Sequence, residues 1–214
     1  MEIAYFIGLT LCLLGYLTNA ALLFGSRAKG PVRSIFLLTY ITMIIWVIGY
    51  ALGASVSSSP FFISPLLESF QIAMWTLLLL AILDSQHEKI SSFIRGKFVL
   101  TIGFLVVIFN MAIFSPLLSP ALELQIIIGA SLLGSIIQLI LIEQIYRSAG
   151  DNKWAYKPLV LGLAMVNIFH LVMMSNALLL SNVDINYLAS RPYIYAMLTP
   201  FLLLSMKRVS VWNL

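Results

Sequence analysis

Polar side chains able to do chemistry are few in this chain, and they lie within or at the ends of long apolar stretches. The candidates for binding a ligand or a signal are Glu68, Gln71, Trp75, Asn110, Gln138, Asn167, His170 and Asn176. Holding a polar or ionisable group inside a lipid bilayer is costly, so such residues mark functional positions by default. This set is therefore the candidate site.

His170 is the sharpest candidate, because it lies near the middle of an apolar stretch and imidazole changes charge near neutral pH. In one interpretation it binds a ligand or senses protons. In the other it is a neutral imidazole that donates one hydrogen bond across the bundle to a neighbour such as Asn110 or Gln138. The sequence leaves both interpretations open.

Glu68, Gln71 and Trp75 share one helical face with Ser64 near the start of the third apolar stretch. Glu68 with Gln71 could line a vestibule open to the outside. Alternatively, Glu68 is a first-turn carboxylate at the level of the lipid headgroups, where it favours the positive end of the helix dipole. The second interpretation is the more ordinary one.

The residue inventory argues against several catalytic classes. Cys12 is the single cysteine, and no His and carboxylate cluster has the composition of a metal site. No lysine lies inside an apolar stretch to form a Schiff base, and His87 lies in a connection, which leaves His170 without a second histidine for haem. We therefore predict no catalytic residue, metal ligand or cofactor in this chain, and no enzymatic activity of its own.

The elements that position these residues are membrane-spanning helices. The sequence is 61% hydrophobic and 9% charged, against about 25% charged residues in soluble domains. Crossing a bilayer takes about 20 apolar residues, and in lipid the backbone must satisfy its own hydrogen bonds, as a helix does. The sequence predicts an all-α, polytopic seven-helix bundle with spans at about 3–24, 35–54, 64–84, 98–117, 121–145, 158–180 and 188–206.

Cationic residues predict how the bundle is oriented. Eleven of the twelve Lys and Arg residues fall in four patches separated by two spans each: Arg27, Lys29 and Arg33; Lys89, Arg95 and Lys97; Arg147, Lys153 and Lys157; Lys207 and Arg208. Short basic connections stay in the cytoplasm, so the N-terminus is predicted outside and the C-terminus inside. The net charge of +4 fits contact with anionic lipid and is no sign of nucleic acid binding.

Local patterns predict helix starts, helix packing and a local change in the seventh span. Ser64-Pro65 with Glu68, Ser119-Pro120 with Glu123, and Ser190-Arg191-Pro192 share the composition of helix N-termini. Small residues four apart predict close helix packing: Gly49 with Gly53, Ala130 with Gly134, and Ser131 with Ser135. Pro200 is predicted to kink the seventh span or to open a local carbonyl. Glu143 and Arg147 have the spacing of an ordinary ion pair on a helix surface.

From the end of the fifth span onward the sequence carries a series of short motifs: Glu143-Gln144-Ile145-Tyr146-Arg147, Lys153-Trp154-Ala155-Tyr156-Lys157-Pro158-Leu159, Leu161-Gly162-Leu163, Ala177-Leu178-Leu179 with Asp184, and Ala189-Ser190-Arg191 through Pro200 to Lys207-Arg208 and Trp212. In these it resembles the N-terminal membrane region of PrsK-type sensor histidine kinases of the PEP-CTERM and exosortase system. The earlier part agrees mainly in span number and polarity.

The resemblance implies a sensory input domain in a bacterial inner membrane, acting on a cytoplasmic kinase domain that this chain does not contain. Residues 1–206 would be the sensor and 207–214 the start of a linker, with Pro200, Lys207, Arg208 and Trp212 coupling the signal to the output. The partners implied are the lipid bilayer, a lipophilic or periplasmic ligand, a second copy in the full-length protein and, through the kinase, a response regulator. The alternative is a small seven-helix transporter or lipid-handling protein.

Overall fold

The computed structural model describes residues 2–25, 31–56, 64–83, 96–113, 119–180 and 182–208. Within them the chain forms seven α-helices and one 3-10 turn, and no strand: α1 (Glu2–Gly25), α2 (Pro31–Val56), α3 (Pro65–Leu83), α4 (Lys97–Ile113), α5 (Pro120–Ser148), the 3-10 turn Gly150–Asn152, α6 (Lys153–Leu180) and α7 (Ile185–Arg208). The prediction of an all-α fold is confirmed.

Five of these helices, α1, α2, α3, α5 and α6, are long and apolar enough to cross a membrane. The apolar part of α4, Val99–Met111, is shorter than a usual crossing. Helix α7 is 24 residues long, but it is not among these five and is the least hydrophobic of the described helices. The chain therefore has the composition of a multi-pass membrane protein.

Six helices close into a ring, and α4 lies outside it. Around the ring α1 packs on α2, α2 on α3, α3 on α5, α5 on α6, α6 on α7 and α7 on α1, while α4 packs on α3. The closure of α7 on α1 gives the ring an interior of buried side chains. This interior is where polar side chains can be paired with one another.

Helices α1 and α7 run in the same direction. At their starts the Tyr193 hydroxyl donates to the backbone carbonyl of Ala4, and further along Asn19 Nδ2 donates to the carbonyl of Thr199 at 3.0 Å. Since both helices begin at one end of the bundle, we call that end the N-terminal end. The last turn of α7 lies at the opposite end.

Two of the three predicted helix starts have the expected caps. Ser64 Oγ accepts from the Leu67 amide at 3.5 Å, and Ser119 Oγ accepts from the Leu122 amide at 3.4 Å. The third prediction is wrong, because α7 begins at Ile185 and Asp184 Oδ1 accepts from the Asn186 amide at 2.8 Å. Ser190, Arg191 and Pro192 consequently lie inside α7, with Arg191 six residues, about 9 Å, beyond its start.

Close packing at small residues is confirmed at two of the predicted positions. A Cβ at Gly49 would lie 2.6 Å from Leu67 Cδ1, and one at Gly134 would lie 2.6 Å from Ile72 Cγ2. In this way α2 and α5 both approach α3 closely. Without those glycines the ring could not be as tight on either side of α3.

Pro200 lies inside α7 on its exposed side. Proline has no N–H to donate to the carbonyl four residues earlier, which here belongs to Ala196. That carbonyl accepts instead from the Thr199 hydroxyl at 2.8 Å. The prediction of an opened carbonyl is confirmed, and the neighbouring threonine satisfies it, as is usual for membrane prolines.

Candidate functional site

A buried ion pair joins α3 to α7 near the N-terminal end of the ring. Arg191 NH1 donates to Glu68 Oε1 at 2.8 Å, and Arg191 NH2 pairs with Glu68 Oε2. Each side chain is 2% exposed. The two parallel bonds form the bidentate guanidinium–carboxylate arrangement, which adds directionality to the attraction between the charges.

The Glu68 carboxylate also binds α2. Its Oε1 accepts from Trp46 Nε1 at 3.0 Å and from the Tyr50 hydroxyl, and that hydroxyl in turn accepts from the Ser64 amide at 3.3 Å. A buried carboxylate is tolerated when its oxygens are supplied with donors. Here the donors come from two neighbouring helices, so Glu68 ties α2, α3 and α7 together.

Arg191 uses its remaining donors on α6 and α3. Its Nε donates to His170 Nε2 at 3.1 Å, and its NH2 also lies 3.4 Å from Gln71 Oε1. The guanidinium carbon lies 4.9 Å from the centroid of the Trp46 ring, within the range of a cation–π contact. The cation is thus surrounded by acceptors and aromatic faces rather than by lipid.

Tyr195 completes the cluster on α7. Its hydroxyl lies 3.0 Å from His170 Nε2 and receives a hydrogen bond from Gln71 Nε2. Because the lone pair of His170 Nε2 accepts from Arg191, this nitrogen carries no proton, and the Tyr195 hydroxyl lies within hydrogen-bond distance of the same nitrogen. A neutral His170 therefore has its proton on Nδ1. We call Trp46, Tyr50, Glu68, Gln71, His170, Arg191 and Tyr195 the polar cluster.

The predictions for Glu68 and His170 need correction. Glu68 is in the first turn of α3, where its amide donates to the Ser64 carbonyl at 3.0 Å, but its side chain is buried. The first-turn position is as predicted, but an open vestibule does not describe the residue, because its side chain is buried in the ring interior. His170 does bond across the bundle, but the predicted partners Asn110 and Gln138 are wrong; the partners are Arg191 and Tyr195.

Three other candidates make side-chain hydrogen bonds outside the polar cluster. Asn110 Nδ2 donates to Ser69 Oγ at 2.8 Å and so joins α4 to α3. Gln138 Nε2 on α5 donates to the Ile72 carbonyl at 3.0 Å. Trp75 Nε1 donates to Met43 Sδ at 3.4 Å. Asn176, half-buried on α6, takes part in none of these bonds.

A small cavity lies beside the polar cluster, in the ring interior. It is bounded by both polar and apolar side chains: Gln71, Ser135, Gln138, Asn167, His170 and Tyr195, with Ile72, Trp75, Leu163 and Val166. Its volume is about 10 Å³. Five of the eight candidate residues thus meet at one place, although they come from three helices.

Sequence reasoning missed Arg191, Trp46, Tyr50 and Tyr195 as site residues. Arg191 did carry a signal, since it is the one cation outside the four basic patches, but it was placed near a helix start. The aromatic residues carried none, because a tryptophan or tyrosine in an apolar stretch equally fits contact with lipid or with another helix. Only the folding of the ring reveals which way they face.

Of the coupling residues, Lys207 and Arg208 are exposed in the last turn of α7. The Arg208 guanidinium carbon lies 5.4 Å from the Trp154 ring centroid, at the start of α6. Trp212 lies outside the described residues. Within the described ranges no group of three or more His, Cys, Asp or Glu residues is placed to hold a metal ion.

No protein-family model matches the chain, and no curated protein or solved structure is significantly similar to it.

Proposed function

We propose that the chain is a seven-helix sensory module of a bacterial inner membrane, the input domain of a two-component histidine kinase. A signal in the membrane or at its outer face shifts the packing of the ring. Helix α7 then carries the movement to a cytoplasmic kinase domain. The chain itself has no catalytic role in this proposal.

The observation that carries the proposal is the position of Arg191 on α7. It is bonded to Glu68 of α3 and His170 of α6 inside the ring, and the same helix continues to exposed Lys207 and Arg208 at the opposite end. A shift of α7 therefore alters the buried bonds and the far end together. Signalling needs two packings of similar free energy, and a signal that favours one of them.

Seven crossings with the N-terminus outside are part of this proposal. The parallel course of α1 and α7 supports an odd number of passes, because an even number would make them antiparallel. The described basic residues support the orientation: Arg33 and Lys97 lie at the starts of α2 and α4, Arg147 at the end of α5, and Lys153 at the start of α6. All four ends would face the cytoplasm.

The partners follow from the resemblance to PrsK-type kinases. They are the bilayer, a lipophilic or periplasmic ligand, a second copy of the full-length protein, and a response regulator that the kinase domain would phosphorylate. The polar cluster supports a structural route for a signal, since it connects α2, α3, α6 and α7 in one set of bonds. A ligand that moves one of these helices would stretch or break its hydrogen bonds to the other three.

A small transporter or lipid-handling protein is the alternative function. The observation that favours it is the polar cluster itself, because paired ionisable residues inside a membrane often line an ion or substrate pathway. The Glu68–Arg191 pair places two such residues in the ring interior.

The two functions are separated first by the gene that encodes the chain. An in-frame kinase domain after residue 214 supports the sensory module. A stop codon there, together with measurable solute or lipid flux in vesicles that contain the protein, supports the alternative.

If the gene encodes a kinase domain, Pro200→Ala in α7 is expected to change autophosphorylation in the absence of signal. Pro158→Ala in α6 is the matched control, and equal basal activity in both variants would remove the role of Pro200.

A further inference from the structure

We propose that the cavity beside the polar cluster is a binding site for one water molecule, held between α5 and α6 by Gln138 Oε1, Asn167 Oδ1 and His170 Nδ1. The proposal is independent of the sensory function. The water would complete the hydrogen bonding of three polar atoms in the ring interior that have no partner among the described residues.

Gln138 provides the first of these atoms. The side chain is 5% exposed, and its amide nitrogen donates to the Ile72 carbonyl at 3.0 Å and to Thr76 Oγ1 at 3.2 Å. Both amide hydrogens are then used and the nitrogen is fixed toward α3. The amide oxygen, Oε1, has no hydrogen-bond partner among the described residues and belongs to a side chain that lines the cavity.

Asn167 and His170 provide the other two atoms from α6. Asn167 Nδ2 donates to the Leu163 carbonyl at 2.9 Å, which leaves Oδ1 unpaired in the described part of the chain. His170 Nε2 is occupied by Arg191 and Tyr195, so its proton is on Nδ1, which has no acceptor there. Both side chains are 4% exposed and line the same cavity.

One water molecule matches this arrangement in number, polarity and size. It donates to the two amide oxygens and accepts from the imidazole N–H, the three bonds that a buried water typically makes. The cavity volume of about 10 Å³ is the smallest that holds a water. A metal cation does not match, because the N–H of His170 presents a proton to it, and an apolar ligand would leave all three polar atoms unpaired.

The bound water connects two sets of hydrogen bonds that the protein leaves separate. One set is the polar cluster, which ends at His170. The other joins Gln138 on α5 to Thr76 on α3. With the water in place, hydrogen bonds run from Trp46 on α2 through the ion pair to α5, so that all the ring helices except α1 share one network.

A crystal structure of the full chain in a lipid phase, at a resolution that shows ordered water, tests the site directly. We expect electron density about 2.7–3.2 Å from each of Gln138 Oε1, Asn167 Oδ1 and His170 Nδ1. A direct bond between His170 Nδ1 and Asn167 Oδ1, an empty cavity, or density of a cation would each overturn the proposal.

Filling the cavity gives an independent test by its effect on the melting temperature. Val166 lines the cavity, and Val166→Ile adds a methyl group that would expel the water and leave its polar partners unpaired. We expect the melting temperature of the purified protein to fall by about 4 °C or more. An unchanged or higher value, as expected when a dry void is filled, would overturn the proposal. Val160→Ile on the same helix, away from the cavity, is the matched control.

The steric cost of the added methyl is separated from the loss of water by a second background. Gln138→Met removes one of the three partners while nearly keeping the side-chain volume. We expect Val166→Ile to lower the melting temperature less in Gln138→Met than in the original chain, because less hydrogen bonding remains to be lost. Equal falls in the two backgrounds would show a purely steric effect and would contradict the water site.

Discussion

Two glutamate–arginine pairs in this protein have the same chemistry and opposite environments. Glu143 and Arg147 lie one turn apart on α5, with an oxygen–nitrogen distance of 2.6 Å and side chains that are 59% and 78% exposed. Glu68 and Arg191 lie on α3 and α7, 123 positions apart in sequence, and are 2% exposed. The first pair lies on the surface near the end of α5, whereas the second joins α3 to α7 inside the ring.

The difference shows that the environment, and not the type of pair, determines what an ion pair contributes. An exposed pair gains little, since water solvates both charges well without it. In a buried pair each charge depends on its partner, and removing one leaves the other unpaired in a medium that solvates it poorly. Glu68 and Arg191 should therefore respond strongly to single substitutions, and Glu143 and Arg147 weakly.

The largest effect is expected for Arg191→Leu. It leaves the Glu68 carboxylate buried without its cation and removes the donor to His170, so the free energy of unfolding should fall by about 3–5 kcal/mol. Arg191→Lys is the matched variant, which keeps the charge but not the planar fork and should lose less. Unfolding of the purified protein in detergent measures both, and a loss below about 1 kcal/mol for Arg191→Leu would contradict the dependence on burial.

The double variant Glu68→Leu with Arg191→Leu should be more stable than either single variant. It removes both charges, so no unpaired charge is left in the ring, and apolar replacements of buried ion pairs are often tolerated. The same unfolding measurement on all four proteins gives the coupling free energy, expected above about 1.5 kcal/mol. If the double variant loses as much unfolding free energy as the two single variants together, the coupling free energy is zero and the interaction between Glu68 and Arg191 does not stabilise the fold.

Much of the fold follows from the sequence alone, because it depends on local properties. Apolar length predicts where the helices lie, and Ser64 and Ser119 mark the starts of α3 and α5. The pair Glu143–Arg147 is readable because the helix itself brings residues i and i+4 together. Each of these inferences needs only neighbours in the chain.

The site could be predicted only in part, for the opposite reason. Five candidate residues meet at the cavity, since polar side chains avoid lipid whichever helix carries them. Their partners were not predictable, because helices that are apolar on all sides do not show which face turns inward. Arg191 was the available clue, because it is the one cation outside the four basic patches. A buried cation needs an anionic partner, and Glu68 is its partner across the bundle.

His170 tests whether the buried pair depends on its neighbours. His170→Phe keeps a ring but removes the acceptor for Arg191 Nε, so one donor of a buried cation would be left unpaired, at a cost of about 1–3 kcal/mol. His170→Gln can still offer an oxygen to Arg191 and should lose less. The comparison of the two variants by unfolding isolates the hydrogen bond, and equal losses would mean that His170 acts by packing alone.

The smallest effect is expected at the exposed pair, where salt provides the decisive contrast. The coupling free energy from Glu143→Ala, Arg147→Ala and the double variant should be at most about 0.5 kcal/mol. At 1 M salt, where screening acts over about 3 Å, this coupling should vanish, because ions reach both side chains. The coupling between Glu68 and Arg191 should persist, since the closed ring keeps ions from the charges. Equal salt sensitivity of the two couplings would mean that water and ions enter the ring, and the polar cluster would then be part of an open pathway.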